Sequence, residues 1–123
     1  MWQAVAIVML GGAVGSAARY LMTHFSSELS QHHGFPYGTL AVNVIGSMIV
    51  GYVLTWSADH SHDRWRLLAA TGFCGGFTTF STFAYETMAY VQGGKMMLAA
   101  LNFGLNNTLA FCAVMVGIRL HQR

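Results

Sequence analysis

An all-α protein embedded in a membrane is the fold class this sequence predicts, and three observations predict it. Hydrophobic residues make up 54% of the 123 and charged residues only 8%, against about 25% charged in an average globular domain. Runs apolar enough to cross a bilayer as helices of about 20 residues recur four times. Within those runs only Arg19 and Glu86 carry charge. A soluble chain of this length needs a polar coat that this composition does not supply. The net charge of +2 is too small to suggest a nucleic-acid surface. The length suits one domain, taken here as residues 1–123 with helices at about 2–25, 37–57, 67–91 and 96–118.

The first run carries Gly11 and Gly15 as a G-x-x-x-G, with Gly12 and Ser16 alongside. Small residues at that spacing let helix backbones approach closely, although they do not name the partner. The run lacks a basic start and outlasts a signal-peptide core, so it reads as a span. Arg19, near its end, either snorkels to the interface or draws an anion toward a pore entrance. Residues 25–36 read as a polar connection, and Pro36 breaks any helix and marks re-entry. Adjacent His32 and His33, with no acidic or thiol partner near, suit an exposed loop better than a metal site.

The second run has no charge, and Tyr37 and Trp56 stand at its ends as an aromatic belt would place them. Asn43 is its one side-chain amide and needs a hydrogen-bond partner, in another helix or in a ligand. Gly46, Ser47 and Gly51 offer a second close-packing face. The next connection mixes signs over a few residues (Asp59, His60, His62, Asp63, Arg64, Arg66), which reads as a solvated turn.

The third run holds Gly75-Gly76-Phe77-Thr78-Thr79-Phe80-Ser81-Thr82-Phe83. Polar groups at membrane depth need partners, so four hydroxyls crowded with phenylalanines at i and i+3 point to a pathway or a binding site. Glu86 follows Phe80 and Phe83 by steps of three, and an intramembrane carboxylate is either a functional candidate, the default reading, or a hydrogen-bonded structural acid. In the fourth run Asn102 and Asn106 lie one turn apart on one face. Cys74 and Cys112 read as small buried hydrophobes rather than a pair.

The motif at residues 75–83 with Glu86, the run Gly38-Thr39-Leu40-x-Val42-Asn43, and Gly11-Gly12-x-x-Gly15 with Arg19 together resemble the Fluc (CrcB) fluoride channels. The resemblance covers essentially the whole chain. It implies a passive, non-enzymatic fluoride channel in the cell inner membrane that lowers cytoplasmic fluoride by efflux. It also implies an antiparallel, dual-topology homodimer whose third helix is broken near its middle. A structural, non-transported Na+ would be held there by the backbone carbonyls of Gly75 and Thr78. Carried onto this chain, the fluoride pathway comprises Asn43, Phe80, Ser81, Thr82, Phe83, Glu86, Asn102 and Asn106, with Arg19 at the pore entrance. Ring edges are electropositive and suit a small anion that has shed water. One departure from the family pattern is that the fourth-helix face continues to Ala110 and Val114, less polar than expected, so that Asn102 and Asn106 would supply the donors there.

Residue reasoning alone stops at a small anion, and the resemblance supplies fluoride. With the N-terminus, second connection and C-terminus on one side, that side holds Arg64, Arg66, Arg119 and Arg123 and the other Arg19 and Lys95. The difference, 4 − 2 = 2, orients the chain only weakly and is compatible with insertion both ways round. The alternative is a proton-coupled exporter of the small multidrug-resistance type, which relies on a first-helix acid that is missing here. An enzyme ranks last, because no nucleophile–base pair or metal set is gathered in one place.

Overall fold

Each apolar run folds into helix, because in a bilayer only internal hydrogen bonding satisfies the backbone. The computed structural model describes residues 1–60 and 62–123. Among the described residues, four helices are long and apolar enough to span a membrane: Trp2–Phe25, Tyr37–His60, Asp63–Gln92 and Met96–His121. A 24-residue helix is about 36 Å long, enough for the hydrocarbon core and part of both interfaces. The second helix runs past residue 57 to His60, the third starts at Asp63 rather than 67, and the fourth continues past 118 to His121. Apolar content marks the hydrocarbon-crossing part of a helix, and these helices continue into polar sequence beyond it. The connection expected at 25–36 contains a short helix, Ser27–His33, closed by Gly34 in the left-handed conformation (φ 66°).

The third span is not uniform. Arg66–Cys74 is π-helical, and Gly75–Phe77 completes the first half. Thr78 (φ −79°, ψ 158°) and Thr79 (φ −149°, ψ 113°) are extended, and helix resumes at Phe80–Gln92. Thr79 caps the second half: its hydroxyl accepts from the Thr82 amide at 3.2 Å and donates to Thr82 Oγ1 at 2.9 Å. A capping hydroxyl of this kind satisfies one of the donors a helix start leaves open.

The second and fourth spans pack on each other along their length, and the first span packs on the first half of the third. The glycine pair of the first span finds its partner there. A Cβ on Gly11 would collide with the Leu68 carbonyl oxygen, and one on Gly15 with that of Phe73. Both obstacles are backbone, so only glycine permits this approach. Near the fourth span's C-terminus, His121 Nε2 meets Asp59 Oδ2 at 2.7 Å, which ties the end of the second span to the end of the fourth. Cys74 is buried as expected, whereas Cys112 is exposed on a face turned away from the other spans.

Candidate functional site: two clefts meeting at Thr79

The Thr78 amide keeps its helical bond to the Cys74 carbonyl at 2.9 Å, but Thr79 leaves the helix and its backbone groups need other partners, which the second span supplies. Asn43 Oδ1 accepts from the Thr79 amide at 2.8 Å, and Asn43 Nδ2 donates to the Thr79 carbonyl at 3.2 Å. In an unbroken helix that amide would go to the Gly75 carbonyl four residues back. The side chain of Asn43 thus takes the place of a helical turn. Its Nδ2 also donates to Asn106 Oδ1 at 2.9 Å. Asn106 Nδ2 donates to Asn102 Oδ1 at 2.9 Å and to the Asn102 carbonyl at 3.0 Å. Asn102, 0% exposed, donates in turn to Thr87 Oγ1 at 2.9 Å. The shared face of Asn102 and Asn106 is therefore turned inward.

Two clefts flank this segment. One, of about 470 Å³, is lined in part by Asn43, Gly75, Thr78, Phe80, Phe83 and Asn106, with Ala110 and Val114 on the fourth-span side. The other, of about 550 Å³, is lined by Arg19, Thr39, Thr82 and Glu86 and by hydroxyls of the short helix and its approach, Thr23, Ser26, Ser27 and Ser30. Thr79 is common to both linings. Arg19 Nη1 lies 3.4 Å from the Thr78 carbonyl oxygen. Thr39 Oγ1 donates to Glu86 Oε1 at 2.7 Å, while Glu86 Oε2 is buried without a partner.

The two phenylalanines differ sharply. Their ring centroids are 5.5 Å apart, yet Phe80 is 78% exposed and Phe83 only 5%. Phe83 also lies against Phe103, 6.2 Å between centroids. Ser81 is exposed and lines neither cleft, and Asn102 reaches the site only through Asn106.

Three residues near the site were not singled out from sequence. Thr79 carried a helix-start signal, a hydroxyl residue just before an apolar-periodic run. Thr39 appeared only as a position of the motif at 38–43, with no role assigned, and Thr87 carried no signal, because their importance comes from partners 47 and 15 residues away. Among the described residues, no three His, Cys, Asp or Glu side chains gather to hold a metal ion. Any cation here would have to rely on carbonyl and hydroxyl oxygens.

Among the described residues, four membrane-capable helices, the third with extended Thr78 and Thr79 within it, define a multi-pass helical membrane protein. A family model described as "CrcB-like protein, Camphor Resistance (CrcB)" matches residues 6–118, and the chain belongs to that family. A relative from Koribacter versatilis is 44% identical over 110 residues, covering 88% of this chain and 86% of its own. One from Thermococcus onnurineus is 44% identical over 123 residues, 98% and 96% of the two chains. One from Pyrococcus furiosus is 40% identical over 122 residues, 97% and 96%. All three are named "Fluoride-specific ion channel FluC".

Proposed function

We propose that this protein is a fluoride-specific ion channel that lets the anion run down its gradient and so lowers cytoplasmic fluoride across the cell inner membrane. The observation that carries this reading is the near full-length likeness to relatives bearing that name. The geometry around Thr79 supports it physically. Arg19 sits in a cleft rich in hydroxyls, where a cation raises the local concentration of an anion. From there the path leads by Thr82 and Thr79 toward the rings of Phe80 and Phe83, whose electropositive edges can replace water around a small anion. Asn43 and Asn106 line the first cleft beside the rings with Asn102 behind Asn106, and Ser81 is assigned to the path from the family resemblance alone. Glu86, with Oε2 unpartnered, stands beside the path and presents a donor to the anion when that oxygen carries a proton.

A second, antiparallel copy completes the reading. In a lone protomer the first cleft, lined by Ser47, Gly75 and Thr78, would face lipid, where a backbone carbonyl freed from its helical donor costs several kcal/mol (about that order). A second copy over this face removes that cost. The weak charge bias of the connections permits insertion in both orientations.

The backbone also fits a Na+ ion. The Thr79 amide is taken by Asn43, which releases the Gly75 carbonyl from its helical donor. Gly75 and Thr78 line the same cleft, and the Thr78 carbonyl, whose contact with Arg19 is long at 3.4 Å, keeps a lone pair for a second ligand. Hard cations take oxygen ligands of this kind. Carbonyls of Gly75 and Thr78 would hold the ion, which supplies charge and rigidity at the break. The exporter alternative gains nothing here, since the first span has no acid and Glu86 is hydrogen-bonded to Thr39.

The test is efflux from liposomes loaded with fluoride or chloride, with a K+ ionophore added, with and without Na+. Fluoride release without chloride release is expected, dependent on Na+. Equal chloride release would refute the selectivity, and absence of fluoride release with every cation would refute the channel.

A further inference from the structure

The orientation of three amides, Asn43, Asn106 and Asn102, can be deduced from one backbone group. The Thr79 N–H can only donate, so Asn43 must present Oδ1 to it. That turns Asn43 Nδ2 toward Asn106, which must present Oδ1. Asn106 Nδ2 then faces Asn102, which must present its own Oδ1. Asn102 Nδ2 consequently points at Thr87 Oγ1. Thr87 can accept there because its own proton is given to the Phe83 carbonyl at 2.8 Å. None of the three amides can flip without setting two donors or two acceptors face to face.

We infer that Thr87, Asn102, Asn106 and Asn43 form a directional relay that holds Thr79 extended, and so sets where the helix bearing Phe80 and Phe83 begins. These four are positioning residues, acting through Thr79. The relay joins the second, third and fourth spans, and both ends rest on the third: Thr87 and Phe83 at one end, Thr79 at the other. It closes a loop across the helix start. Thr79 is the cap of that helix and the residue shared by the two clefts, so a shift there moves the rings and the junction together. Both Asn43 Nδ2 hydrogens have protein acceptors, so Asn43 acts on the path by shaping it. The inference relies on the channel reading for its flux measurement only.

The test combines NMR of the full-length protein in micelles with liposome efflux. In the unsubstituted protein, the side-chain NH2 protons of Asn43, Asn102 and Asn106 and the Thr79 amide should exchange slowly with solvent. Fast exchange of any of them would overturn the relay, whatever the substituted forms do. Thr87→Val keeps the shape and removes the acceptor at the far end. It should move the Thr79 amide resonance, speed its exchange and lower fluoride efflux, because Asn102 Nδ2 loses its 2.9 Å acceptor. Thr87→Ser should restore both readouts. Thr55→Val, which removes a hydroxyl bonded only to its own helix at Gly51, should change neither. An unmoved Thr79 resonance in folded Thr87→Val, or a moved resonance with unchanged flux, would refute the inference. The NMR readouts do not depend on which anion passes, so a failure of the fluoride reading and a failure of the relay are distinguishable.

Discussion

Truncating Phe80 and Phe83 to alanine separately should divide conduction from stability. Phe83 is 5% exposed and Phe80 78%. In lipid the transfer part of a truncation largely vanishes, because the surroundings are as apolar as the core. What remains is the cavity. Phe→Ala removes roughly 100 Å³, and at about 24 cal/mol per Å³ a buried site that does not collapse loses about 2.4 kcal/mol. Phe83→Ala should therefore lower protomer stability by about 2 kcal/mol, while Phe80→Ala leaves it within about 0.5 kcal/mol, as for surface positions. Fluoride flux should fall severely in Phe80→Ala, because on the proposed path the ion meets its exposed ring. Reversible unfolding in mixed micelles measures the first effect and liposome efflux the second. Equal destabilisation by the two changes, or full flux in Phe80→Ala, would refute the division of roles.

Two further outcomes follow from the same geometry. Thr78→Ser should preserve Na+ dependence of flux, because serine can repeat the hydroxyl's 2.8 Å bond to the Cys74 carbonyl and the ion is assigned to the backbone oxygen; loss of that dependence would make the side chain the ligand. Gly15→Ala should destabilise the fold by about 1–3 kcal/mol, measured by unfolding in micelles, since its Cβ meets the backbone of Phe73; an unchanged stability would mean that the first span can retreat from the third without cost.

The site was legible in the sequence to different depths. Residues 75–83 announced themselves, because hydroxyls and glycines at membrane depth are costly unless partnered. Asn102 and Asn106 could be placed on one face from their spacing, and that face does turn inward. Periodicity names a face and not what it meets, so the choice of Asn43 as partner to Thr79, 36 residues away, lay beyond it. Thr87 looks like any helix threonine bonded to the carbonyl four residues back, and only the arrival of Asn102 gives its oxygen a second duty.

The number of spans, their approximate limits and their helical state follow from the chain alone, because a bilayer demands local, self-satisfied backbone over a set length. The same holds for the tight face of Gly11 and Gly15, which any close neighbour would have required. Which neighbour arrives, which ring is covered, and which amide substitutes for the missing helical turn at Thr79 were settled by tertiary packing. Those contacts join residues on different spans, and their energies depend on the relative placement of whole helices, which no local pattern encodes.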